Sequence, residues 1–195
     1  MVLMFTRAAT FAVSLMIATA MLGLWIGDLH GQTAPDVLRW GTVHRLSGVL
    51  AALMGVLVNS MAVTYFIGTG RWCREVVETY QLSERFVHRS KVLKQRAFPF
   101  AIAGVFLVIA IIILGGAADP ATGRPGTQAW VTPHLIGSIT CVTLIAICFS
   151  RQVDAIRDQQ ILIEDVMTNV KTIRIDRGLE VDDQAVTSEK KSPQE

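Results

Sequence analysis

Two short segments of this 195-residue chain repeat one pattern of chemically capable residues. Trp40-Gly41-Thr42-Val43-His44 and Trp130-Val131-Thr132-Pro133-His134 both read Trp-x-Thr-x-His, and a glycine follows each, Gly48 in the first and Gly137 in the second. Neutral histidine is a common metal ligand through either ring nitrogen. Two histidines at equal depth on parallel helices can grip one metal centre from opposite sides. The residues below each on its own helical face are mostly small: His44, Gly48, Ala51, Gly55, Asn59 in one stripe and His134, Ser138, Cys141, Ile145, Cys148 in the other. Small side chains leave room for a flat macrocycle, and bundle cofactors sit between facing helices. The pattern points to one haem of the b type, with His44 and His134 as axial ligands and Gly48 and Gly137 beside them. The same stripes also suit plain helix packing without any cofactor.

Neighbouring residues add to the haem expectation. Thr42 and Thr132 are natural N-caps, and Pro133 suits the first helical position. Each histidine is therefore expected in a first helical turn, where the helix dipole disfavours imidazolium and keeps the ring ligand-competent. Arg39, Arg45 and Arg124 are the cations expected on that side of the chain. They would neutralise haem propionates, helped by donors at the helix N-termini. His30 falls in a loop and His88 about a bilayer away, so neither is expected at the site. Asn59 and Ser60 lie about 22 Å along the helix from His44. An interhelical hydrogen bond and a quinone contact both remain open for them. Three cysteines without a CxxC pair give no zinc site or disulfide framework, and Cys141 and Cys148 read as packing residues.

The elements that must position these residues are four charge-free apolar stretches, at about 8–26, 46–70, 97–118 and 130–150. Each is long enough to cross a bilayer as a helix. The expected fold is all-α: a four-helix transmembrane bundle built as two similar hairpins. Residues 71–96 form the connection between the second and third spans. They hold Arg71, Arg74, Arg85, Arg89, Lys91, Lys94 and Arg96 against three acids. Basic loops stay in the cytoplasm, so both termini are expected there, in the cell (inner) membrane. A nucleic-acid role for the loop is excluded, because it is pinned between two spans. Trp25, Trp40 and Trp130 fall at outer boundaries and Trp72 at an inner one, as an interfacial belt requires. Ala18-Thr19-Ala20 imitates a signal cleavage site, but the long uncharged core favours a retained first span.

The basic loop is expected to be helical, with Trp72, Val76 and Tyr80 as a stripe against headgroups or a partner. Residues 152–179 should continue as an amphipathic cytoplasmic helix through Ile156, Ile163, Met167 and Val170. It would pair with itself or with a partner membrane subunit. Residues 180–195 are polar and charged and should be disordered.

His44-Arg45-Leu46-Ser47-Gly48 resembles the His-Arg-x-Ser-Gly segment in the membrane cytochrome b subunit of succinate dehydrogenases and similar haem-binding membrane proteins. The likeness covers five residues and opens the second span here rather than the first. It implies a quinone or propionate contact for Arg45 and Ser47. Electron transfer, in exchange with a quinone or a partner subunit, is the expected function. The alternative is a cofactor-free accessory subunit of a larger membrane complex. The spans carry no charge to mark a transport path, and no nucleophile–base set marks a stand-alone enzyme.

Overall fold

The structure is a computed structural model, and it describes residues 1–179. The tail expected to be disordered, 180–195, lies outside the described residues. Four long helices carry the fold: α1 (Val2–Ile26), α2 (Pro35–Tyr80), α3 (Arg85–Ala118) and α4 (Val131–Asp176). Two single 3-10 turns, Pro120–Thr122 and Thr127–Trp130, shape the connection between α3 and α4. No strand occurs among the described residues. All four helices contain a window long and apolar enough to cross a membrane. The protein is an all-α, multi-pass membrane bundle. α1 and α3 each pack against both α2 and α4, and the parallel pair α2 and α4 also meet across the centre.

α2 and α4 have 46 residues each. At the helical rise that is about 69 Å, more than twice the ~30 Å hydrocarbon core. Both therefore continue beyond the bilayer at the end opposite the histidines. The basic stretch 71–96 is the end of α2, a turn and the start of α3. Gln81 adopts the left-handed conformation (φ 55°) there, and the Leu82 N–H donates to the Val77 carbonyl at 3.0 Å. This C-cap satisfies carbonyls that the last turn of α2 leaves open. Residues 152–176 likewise belong to α4 itself and form no separate helix.

The buried face of this extension differs from the expected stripe. Ile156 and Val170 are buried, but Met167 is exposed and Ile163 only half-buried. Ala155, Leu162 and Val166 complete the inward face, in one core with Cys73, Val77, Phe86 and Leu93. Trp72, Val76 and Tyr80 pack onto the same core. Much of the apolar surface expected to meet headgroups or a partner thus packs within the chain, while Met167 stays exposed. The 3.6-residue drift of a long helix moves the inward face off a strict seven-residue spacing.

Buried polar groups set the helix register in this half. Gln152 Nε2 donates to Asn59 Oδ1 at 3.1 Å, while Asn59 Nδ2 donates to the Gly55 carbonyl at 2.8 Å. Asn59 lies directly over Gly104 of α3, where a Cβ would come within 2.5 Å of its Oδ1. The interhelical hydrogen bond expected of Asn59 is present; Ser60 instead bonds the Val56 carbonyl of its own helix at 2.8 Å. One level further out, Gln159 Nε2 donates to Thr69 Oγ1 at 3.2 Å and to Ser90 Oγ at 3.0 Å. Each such bond between helices contributes about 0.6–2 kcal/mol. On the outside, Arg89 pairs with Asp165 at 3.5 Å and Arg96 with Asp158 at 3.3 Å, tying α3 to α4.

Candidate functional site

The two repeated segments begin their helices differently. Pro35 opens α2, with Ala34 as an extended N-cap and Asp36 in the first turn. Proline has no N–H to leave unsatisfied there, and an acid suits the positive helix end. Thr42 is consequently no cap: its hydroxyl donates to the Leu38 carbonyl at 3.1 Å inside the helix. His44 lies in the third turn, so the dipole argument does not reach it. Trp130 is the N-cap of α4, with no side-chain cap bond, and Thr132 and Pro133 follow in the first turn. His134 does fall in a first turn, as expected, though without a threonine cap.

Despite these unlike starts, the two rings meet. Their centroids are 6.4 Å apart with an interplanar angle of 73°. Both residues are half-buried at the same end of the bundle. Each ring rests on a glycine of the preceding helix in its own hairpin. A Cβ on Gly23 of α1 would stand 2.8 Å from His44 Cε1. A Cβ on Gly115 of α3 would stand 3.3 Å from His134 Cε1. The helix before each histidine is thus hollowed at one residue to seat a ring edge.

Hydrogen bonds orient the rings. His44 Nδ1 lies 3.1 Å from the Thr19 carbonyl oxygen. A carbonyl only accepts, so Nδ1 carries the proton and donates, leaving Nε2 with its lone pair. His134 Nδ1 lies 3.2 Å from Ser138 Oγ, one turn on. A hydroxyl can donate or accept, so this contact is compatible with either tautomer. Bonding one ring nitrogen to a neighbouring protein oxygen while the other stays free is how metal-ligating histidines are usually held.

The other expected residues divide. Arg45 Nη1 is 3.2 Å from Asp119 Oδ1, and its Nη2 is 3.1 Å from Thr42 Oγ1. It ties α2 to the end of α3 rather than standing free for an anion. Ser47 Oγ donates to the His44 carbonyl at 2.9 Å, a contact within its own helix. Gly48 faces Thr19, whose Cγ2 would be 3.9 Å from an added Cβ. Gly137 packs against Leu114 so closely that a Cβ would collide with it. Both glycines therefore face neighbouring helices. Arg39 and Arg124 are exposed on the surface at the histidine end. His88 is exposed at the far end, away from the pair.

A second polar cluster went unread in the sequence. Asp28 Oδ1 lies 2.5 Å from His30 Nδ1, and His30 Nε2 lies 2.7 Å from Thr127 Oγ1. Asp28 also accepts the His30 backbone N–H at 2.9 Å and Gln128 Nε2 at 3.3 Å. The backbone donor first, then the ring, holds the Asp28 carboxyl below its usual range. Carboxylate, imidazole and hydroxyl stand in the order of a nucleophile–base relay. Thr127, however, is only 6% exposed, which closes its hydroxyl to a reactant. The cluster acts as a strap joining the α1–α2 connection to the α3–α4 connection. Asp-x-His was visible locally, but its partner lies 97 residues away.

Among the described residues no three His, Cys, Asp or Glu side chains gather into a metal-ligand group. The donor set is therefore two imidazoles. Fold and site together define a four-span helical membrane protein with a pair of facing histidines at one end. No protein-family model, curated protein or solved structure matches the chain.

Proposed function

We propose that this protein is a small membrane cytochrome, a b-type electron carrier holding one haem between His44 and His134. One observation carries the reading: two oriented imidazoles, each seated on a glycine, with ring centres 6.4 Å apart. Imidazole–metal bonds of about 2.0–2.1 Å, with ~1.1 Å from nitrogen to ring centre on each side, separate ring centres by roughly 6.3 Å. The donor set also favours this group. A bare zinc ion usually takes three or four protein ligands, whereas a macrocycle brings four nitrogens and asks the protein for two.

When bound, haem would supply a one-electron couple, and its holding by both His44 and His134 would suit electron carriage over substrate activation. The chain's own part is orientation. The Thr19 carbonyl fixes His44 with Nε2 free, and Gly23 and Gly115 admit the rings between helices. Arg39 and Arg124 are the cations left to balance propionate charge, since Arg45 is paired with Asp119. Exchange with a quinone or a partner subunit completes the proposal. The basic residues of 71–96 support an orientation with both termini cytoplasmic in the cell membrane.

The test is an absorption spectrum of the purified protein, air-oxidised and then reduced with dithionite. A Soret band that shifts on reduction is expected, and it should be lost in His44→Ala and in His134→Ala while helical circular dichroism is retained. Protein without such a band, or with one that survives both substitutions, overturns the assignment and leaves the cofactor-free accessory subunit.

A further inference from the structure

The surface of α3 at the end opposite the histidines carries a shallow, open groove of about 610 Å³, formed by that helix alone, that the redox proposal does not use. Its walls are Phe98, Ile102 and Phe106, each four residues from the next and so stacked along one face. Pro99 and Ala103 line it between them, and Lys94 stands at its mouth. Phe106 and Ile102 are among the most exposed apolar side chains of the helix, at 66% and 53%.

Three features at the mouth are chemical rather than merely apolar. The Lys94 ammonium lies 5.5 Å from the centre of the Phe98 ring, a cation–π distance that keeps it over the groove. Nearby Arg89 and Arg96 are ion-paired with Asp165 and Asp158. Among the described residues no carboxylate pairs with Lys94 in the same way. Pro99 has no N–H, so it cannot close the helical bond to the Gln95 carbonyl, and Gln95 also lines the groove.

Dimensions identify the occupant. Lys94 precedes the charge-free stretch 97–118 by about one turn, which puts its ammonium at headgroup depth. From Lys94 to Phe106 is twelve residues, about 18 Å of helix, and half of the hydrocarbon core is about 15 Å. The groove therefore runs from the headgroups to the bilayer midplane, the length of one leaflet. We propose that it binds an anionic phospholipid, with the phosphate on Lys94 and an acyl chain along Phe98, Ile102 and Phe106. The Gln95 carbonyl, to which Pro99 cannot donate, offers an acceptor to a hydroxylated headgroup such as phosphatidylglycerol and nothing to a choline. The anionic charge of the cytoplasmic leaflet agrees with the orientation read from the basic loop. The inference does not depend on haem.

The experiment reconstitutes the full-length protein in vesicles of equal phosphatidylglycerol and phosphatidylcholine. The protein is then extracted in mild detergent, and retained lipid is counted by native mass spectrometry. Wild type should retain phosphatidylglycerol in preference to phosphatidylcholine. Lys94→Gln should lower that retention about fivefold, the share of one lysine near a charged surface. Ile102→Trp, which fills the groove and leaves Lys94 in place, should lower it as well, and Lys91→Gln should not. Equal retention of the two lipids, or wild-type retention in either Lys94→Gln or Ile102→Trp, overturns the site.

Discussion

Gly23 and Gly115 are the residues that let two imidazoles approach between four helices. At Gly23 an added methyl would lie within 3.0 Å of a ring carbon, so His44 must move; at Gly115 the 3.3 Å approach asks for a few tenths of an ångström. Gly23→Ala should therefore lower the haem-to-protein ratio of purified protein more than Gly115→Ala does. Equal effects, or the reverse order, would count against the seating described for the two rings. The histidines were legible because a tryptophan and a threonine mark each of them in the same spacing. Their seats were not. Gly23 and Gly115 lie on preceding helices, and nothing in an apolar run tells which glycine will face a ring. Gly48 and Gly137, which follow the histidines in sequence, pack instead against Thr19 and Leu114.

The helices and their connections show where local reading worked and where it stopped. Charge-free runs located all four spans, since the bilayer imposes its thickness directly on sequence. Helix starts were less visible, because Pro35 began α2 nine residues before His44 and displaced Thr42 from its capping role. The strap of Asp28, His30, Thr127 and Gln128 depends wholly on two connections meeting in space. Its pH dependence follows from Asp28, whose carboxyl sits below the usual value near 4. A depressed carboxylate contributes stability that is fully present above its unfolded value and lost as pH falls through the folded one. Asp28→Asn should thus lower stability in detergent at pH 7, read as a lower unfolding temperature, by about 1 kcal/mol or less for so exposed a group. The difference from wild type should shrink below about pH 4. A gap that persists unchanged into acid would remove Asp28 from that role.

Across the whole molecule the two hairpins repeat with a nearly constant offset along the chain. His134 follows His44 by 90 residues, Gln159 follows its partner Thr69 by 90, and Gln152 follows Asn59 by 93. α2 and α4 are therefore two parallel copies of one rod, in register along most of their length. The quality of their joining changes along that length. Away from the histidines the helices are held by Asn59, Gln152 and Gln159, by two ion pairs, and by fully buried Val58, Phe66, Ile145, Ile156, Leu162 and Val166. At the histidine end they meet through half-buried rings resting on glycines, the Arg45–Asp119 ion pair and a strap between connections. Amide hydrogen exchange should be fastest across 27–45 and 119–134 and slowest across 55–62 and 148–166. An even profile would mean that no such gradient exists.

The strap and the Arg45–Asp119 pair work as a hasp, closed across the two hairpins beside His44 and His134. With the hasp closed, the gap between the rings is held at 6.4 Å before anything enters it. A group that clasps both rings would meet a spacing already set, and undoing the hasp would let the two tips part.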